Sequence, residues 1–105
     1  MRPIHLANLD RTRPVLVLTR QLVRPHLSRV TVAPITSAVR GLSTEVPVGP
    51  ENGMDRPSVI SCDNVVTILT SALGRQIGRL LPEQEAALTT ALHAAFDLDD
   101  LPPLR

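Results

Sequence analysis

With 105 residues, 43% of them hydrophobic and 20% charged, the chain has room for one core over residues 1–105 and is too apolar to be a disordered segment. A lone cysteine, Cys62, excludes an internal disulfide and a thiolate zinc cluster, and no stretch approaches the roughly 20 apolar residues of a membrane span or the apolar core of a signal peptide, so the expected compartment is the cytoplasm. The net charge of +1 hides an asymmetry: residues 1–44 hold seven arginines against Asp10 alone, or +6, and the remainder carries −5, a basic first half suited to a polyanion such as nucleic acid.

Ile4 to Leu9 alternates loosely as a strand, and Asp10-Arg11-Thr12 is a turn into the next. In Arg13 to Thr19 the apolar run from Pro14 to Leu18 predicts a central strand buried on both faces, with Pro14 at its start, where a missing amide does least harm. Arg20 to Leu27, polar and holding Pro25, reads as a loop or short broken turn. Arg29 to Thr36 is the third strand, and Pro34 inside it argues for a bulge or an edge.

Thr44 to Val48 alternates as a half-exposed strand, and Gly49-Pro50-Glu51-Asn52-Gly53 is the strongest turn signal. Ser58 to Asp63 is a further strand that Val65 to Ile68 continues after a bend, and Leu73 to Leu80 is a last, glycine-kinked one. From Pro82 the period changes. A proline-led acidic first turn precedes Leu88, Ala91, Leu92, Ala95 and Phe96 at helical steps, so an amphipathic helix is expected to end near Leu98, with Pro102 and Pro103 blocking its extension.

Short strands followed by one helix predict a mainly β fold, a small SH3-like antiparallel barrel with a C-terminal α-helix. Phe96 is the sole aromatic residue, so the core is aliphatic, and a domain this small gains from sharing an apolar face; a homodimer is expected. His5, His26 and His93 have no metal-ligand spacing and Cys62 has no nearby partner, so neither metal nor cofactor is expected.

Four segments, taken in order, resemble the MazF/PemK toxin family: Arg13-Pro14-Val15-Leu16-Val17-Leu18, Val32-Ala33-Pro34-Ile35-Thr36-Ser37, Ser58-Val59-Ile60-Ser61-Cys62-Asp63, and Ile77-Gly78-Arg79-Leu80 before a closing helix. The likeness is greatest to mycobacterial members with a shortened N-terminus. It implies the toxin of a type II toxin–antitoxin system, an endoribonuclease that cuts single-stranded RNA at specific sequences without a metal. In that chemistry the RNA 2′-hydroxyl attacks phosphorus, leaving 2′,3′-cyclic phosphate and 5′-hydroxyl ends.

The resemblance also implies site residues. A hydroxyl at the end of the third strand matches Thr36. An arginine between the second and third strands aligns with Pro25 when no gap is allowed, so the role passes to the neighbouring Arg24, with His26 as an acid or base near neutral pH. Arg13, Arg20 and Ser37 are implied RNA contacts, and a MazE-like antitoxin is the implied protein partner. Longer relatives cover the groove with a loop where this chain has only Asp10, Arg11 and Thr12, which implies a more open groove. The alternative from another class, a non-catalytic CcdB-like toxin that binds gyrase, ends in a Trp-Gly-Ile tail; this chain has no Trp.

Overall fold

The computed structural model describes residues 2–21 and 23–98. Seven strands and one α-helix follow one another: β1 (Pro3–Asn8), β2 (Thr12–Val17), β3 (Arg29–Thr36), β4 (Glu45–Val48), β5 (Ser58–Ser61), β6 (Val66–Leu69), β7 (Leu73–Arg79) and α1 (Glu85–Phe96). All pairings are antiparallel, in the order β4-β5-β3-β2-β1-β7 with β6 also against β3. This is the mainly β fold with a C-terminal helix expected above.

The strand β3 organises the rest. Its first half, Arg29 to Val32, pairs with β6, while Ile35 and Thr36 pair with β5. Pro34 lies in the gap between these two neighbours and faces Val15 of β2 on the other side. The residue that cannot donate therefore stands where β3 changes partners, which is the physical content of the bulge or edge its presence predicted. The stretch expected to prolong β5 does not: Cys62–Asn64 forms a 3-10 turn, and the chain then crosses to β3 as β6.

The apolar run of β2 is buried on both faces. Leu16 joins Ile4, Ala33, Ile35, Val46, Ile60, Leu80, Leu88 and Ala91 beneath the helix. Val15 and Val17 face the other way, with Ala7, Val30 and Val32. Aliphatic side chains thus supply both clusters, and burying one Val or Leu side chain contributes about 1.5–3 kcal/mol. Phe96 contributes little: it is 56% exposed, because Leu88 and Ala91 already face the core and the helix ends there, with Asp97 in the left-handed conformation at φ 54°. Pro102 and Pro103 lie outside the described residues.

Tight backbone contacts join the two ends of the fold. Gly53, at φ 89°, closes the turn that begins at Pro50, and Gly78 of β7 lies so close that a Cβ there would overlap the Asn52 carbonyl oxygen. Asn52 itself is buried: its Oδ1 accepts from Gly49 N–H (3.1 Å), and its Nδ2 donates to Arg79 O (3.0 Å) and Gln84 Oε1 (2.6 Å). At the first strand, Leu80 N–H donates to Arg2 O at 2.9 Å, and the Arg2 side chain pairs with Glu85 at 3.2 Å.

Candidate active site

The β1–β2 hairpin turns within Leu9 to Arg11, held by Leu9 N–H to Arg11 O (3.1 Å) and by the Thr12 hydroxyl on Asn8 Oδ1 (3.1 Å). Arg13 follows at once. The β2–β3 register pairs Val15 with Pro34 and Val17 with Val32; continued two steps, it sets Arg13 across from Thr36. Strand alternation puts both on the face that holds Val15, Val17, Val30 and Val32, at its rim. Both are half-buried.

Arg13 is aimed by Asp10. Nε donates to Oδ1 and Nη2 to Oδ2, each at 2.9 Å. The hydrogen-bonded guanidinium holds the Asp10 carboxyl below its ordinary value, and the carboxylate raises Arg13 in turn. A guanidinium has five N–H donors and this grip uses two, so the Nη1 edge remains free for an oxyanion. The Thr36 Oγ1 accepts from Ala38 N–H at 3.1 Å, which fixes the oxygen and leaves its hydrogen able to donate.

Two hollows meet at this pair. One, of about 890 Å³, is basic: Arg11, Arg56 and Arg75 line it with Ser37 and Gln76, against Asp55. The other, of about 480 Å³, is mixed, with Leu9, Leu42 and Val66 beside Asp10, Asp63, Asn64 and Arg40. Among the described residues, Arg13 and Thr36 line both. They form the ridge between a surface fit for phosphates and one fit for a flat, partly apolar group.

Of the residues implied by resemblance, the structure brings Arg13, Thr36 and Ser37 together. It does not bring Arg24, His26 or Arg20 to them. Arg24–His26 is a 3-10 turn that enters β3 at Arg29, and Thr36 ends the same strand, so about seven residue steps, roughly 20 Å, separate the two ends. Within one chain Arg24 thus stands before the start of β3 and Thr36 at its far end. Sequence reasoning also missed Asp10, Arg11, Arg56 and Arg75. For Asp10 the signal was present in its three-residue spacing to Arg13 across a tight turn; for Arg56 and Arg75 only the pairing of distant strands supplies one.

Cys62 is buried and its thiol is pushed up to about 11, first by burial and then by Asp63, so it is no nucleophile at neutral pH. Among the described residues no group of three or more His, Cys, Asp or Glu is placed to hold a metal ion, and no helix is long and apolar enough to cross a membrane.

Residues 4–96 match the family described as PemK-like, MazF-like toxin of type II toxin–antitoxin system. The chain is 66% identical to endoribonuclease MazF3 of Mycobacterium tuberculosis over 99 residues, covering 94% of this chain and 96% of that protein. With the probable endoribonuclease MazF5 of the same species the identity is 38%, over 81% and 79% of the two chains. The solved structure of M. tuberculosis toxin MazF-mt6 superposes with a TM-score of 0.92 at 65% identity, covering 93% of this chain and 99% of that one. The chain belongs to the PemK/MazF family of toxins.

Proposed function

We propose that this toxin is an endoribonuclease that cuts single-stranded RNA, at specific sequences, on the ridge formed by Arg13 and Thr36. The observation that carries the reading is that these two side chains line both hollows. A strand laid across the ridge puts phosphates against Arg11, Arg56 and Arg75 and leaves a base for the mixed hollow. One phosphate then sits at Arg13 and Thr36.

The reaction follows from what these groups supply. RNA carries its own nucleophile: the 2′-oxygen bonds to phosphorus while its proton leaves to solvent, the bond from phosphorus to the 5′-oxygen breaks, and that oxygen takes up a proton. The ends are a 2′,3′-cyclic phosphate and a 5′-hydroxyl. Arg13, through the donors Asp10 leaves free, and the Thr36 hydroxyl stabilise charge on the non-bridging oxygens, the contribution that preorganised donors make most effectively. Arg13 takes the role that the resemblance assigned to Arg24, and Ser37 orients the strand beside it. No metal is required.

The protein acts in the cytoplasm as a homodimer and is held inactive by a MazE-like antitoxin. An acidic, disordered segment fits the basic hollow for the same reason RNA phosphates do. The CcdB-like alternative is not favoured, because MazF3 and MazF5 of M. tuberculosis carry the names endoribonuclease and probable endoribonuclease.

The deciding experiment is incubation of purified protein with mixed RNA in EDTA, followed by end-group analysis. Fragments with 5′-hydroxyl and cyclic phosphate ends are expected. Loss of cleavage in EDTA, or 5′-phosphate ends, would overturn the mechanism.

A further inference from the structure

A second basic surface lies at the opposite end of β3 from the ridge. Arg20, His26 and Arg29 are exposed and Arg24 is half-buried, and none of the four side chains has a hydrogen-bond or ion-pair partner among the described residues. No acidic residue occurs from Arg11 to Thr44 or from Asn64 to Pro82. These segments build this end: Arg29 pairs with Leu69, and Thr70 donates to Ser28 O from its N–H (2.8 Å) and to Leu27 O from its hydroxyl (3.0 Å). The cations therefore have no compensating charge on the same strands.

Two further observations separate this from an ordinary solvated face. The Arg24 Nε is buried without an acceptor among the described residues, an unfavourable state that an anion relieves once the side chain turns outward. The backbone beneath is also held in place. Pro25 fixes one torsion, while His26 N–H to Val23 O (3.0 Å) and Leu27 N–H to Arg24 O (3.2 Å) close the turn.

We propose that Arg20, Arg24, His26 and Arg29 form a second polyanion-binding site, which takes the sugar-phosphate backbone of RNA flanking the segment held at the ridge. The inference rests on the reading of RNA as substrate. None of the four residues lines either hollow, and a chain with one charge per nucleotide meets cations spread along a turn. The site positions RNA and takes no part in the bond change.

The test measures binding of the full chain to uncleavable 2′-O-methyl RNA of about 6 and about 20 nucleotides, the first within and the second beyond the usual single-strand site size of about 4–16 nucleotides, over a range of salt. The wild type is compared with Arg20→Gln/Arg29→Gln and with the same variant carrying Arg24→Gln, each checked for fold by circular dichroism. The wild type should prefer the long RNA, and the variants should lose about tenfold of that preference. The salt dependence of long-RNA binding should become shallower by about 0.7 per lost phosphate contact. The same preference and slope in all three proteins overturns the proposal. So does an acidic, apolar peptide that loses affinity for the variants while the long RNA does not, which would assign the surface to a protein partner. A wild type that binds neither RNA defeats the ribonuclease reading as well, and a wild type that binds both lengths equally defeats the second site alone.

Discussion

Asp10 grips Arg13 across the β1–β2 hairpin by two hydrogen bonds of 2.9 Å, and this grip decides which edge of the guanidinium faces the ridge. Arg13→Ala should lower the single-turnover cleavage rate by about a hundredfold to a thousandfold, the usual effect of losing one transition-state donor, and Thr36→Ala by about tenfold to a hundredfold. Wild-type rates in both variants would remove the ridge from the mechanism.

Asp10→Asn keeps the shape of the contact and removes its charge. The expected loss is about tenfold in rate, smaller than that of Arg13→Ala, because Arg13 remains but is aimed less firmly. Because Arg13 holds the Asp10 carboxyl below its ordinary value of 3.8, the pair should stay intact as pH falls toward that value. What it contributes to stability is lost only as pH drops through the lowered value. Carboxyl NMR that places the Asp10 midpoint at or above an ordinary aspartate contradicts this.

Gly78→Ala forces a methyl group against the Asn52 carbonyl oxygen, backbone against backbone, with no flexible side chain to yield. A cost of about 3 kcal/mol is expected for such overpacking, which for a chain of this size lowers the melting temperature by on the order of 10 °C. A thermal melt of the variant that matches the wild type would mean that the turn from Pro50 moves freely.

Cys62 should resist thiol reagents at neutral pH and react at once in denaturant. Its thiol is raised in the folded chain from 9.0 to about 11, so the unfolded state loses its proton first. The fold should therefore weaken as pH climbs through this interval, and Cys62→Ser should flatten that slope. Rapid labelling of the native protein at pH 7 would show that the site opens.

Local patterns made much of the fold legible. The five apolar residues from Pro14 to Leu18 announce a strand covered on both sides, and Pro34 announces a break in pairing, since each follows from a single short segment. The path of β6 was not legible. Val66 to Leu69 reads equally well as an extension of β5, and only the first half of β3, more than thirty residues earlier, decides where it goes.

The candidate site was legible only in part for the same reason. Thr36 ends its strand in plain view, but the resemblance, whose ungapped spacing falls on Pro25, implied the neighbouring Arg24 as its companion. The antiparallel register, continued two steps, sets residue 13 across from residue 36, a relation that no single segment displays. Phe96 shows the limit of helical periodicity: it stands at a core-facing step, yet the helix ends there and leaves the ring in solvent.

The strand β1 lies between β2 and β7, and it meets the second of these only across some seventy residues of chain. At about 5–20 residues per second, synthesis takes roughly 4–14 s to pass from one to the other. Until Arg79 has cleared the ribosome, Pro3 and Ile4 have an empty edge, Arg2 has no Glu85, and the wall of the basic hollow that carries Arg75 and Gln76 does not exist. The hairpin bearing Asp10 and Arg13 is made early, but the groove that would present RNA to it is finished last. A growing copy of this chain therefore lacks the β7 wall of its groove through most of its own translation, and the interval is set by strand order.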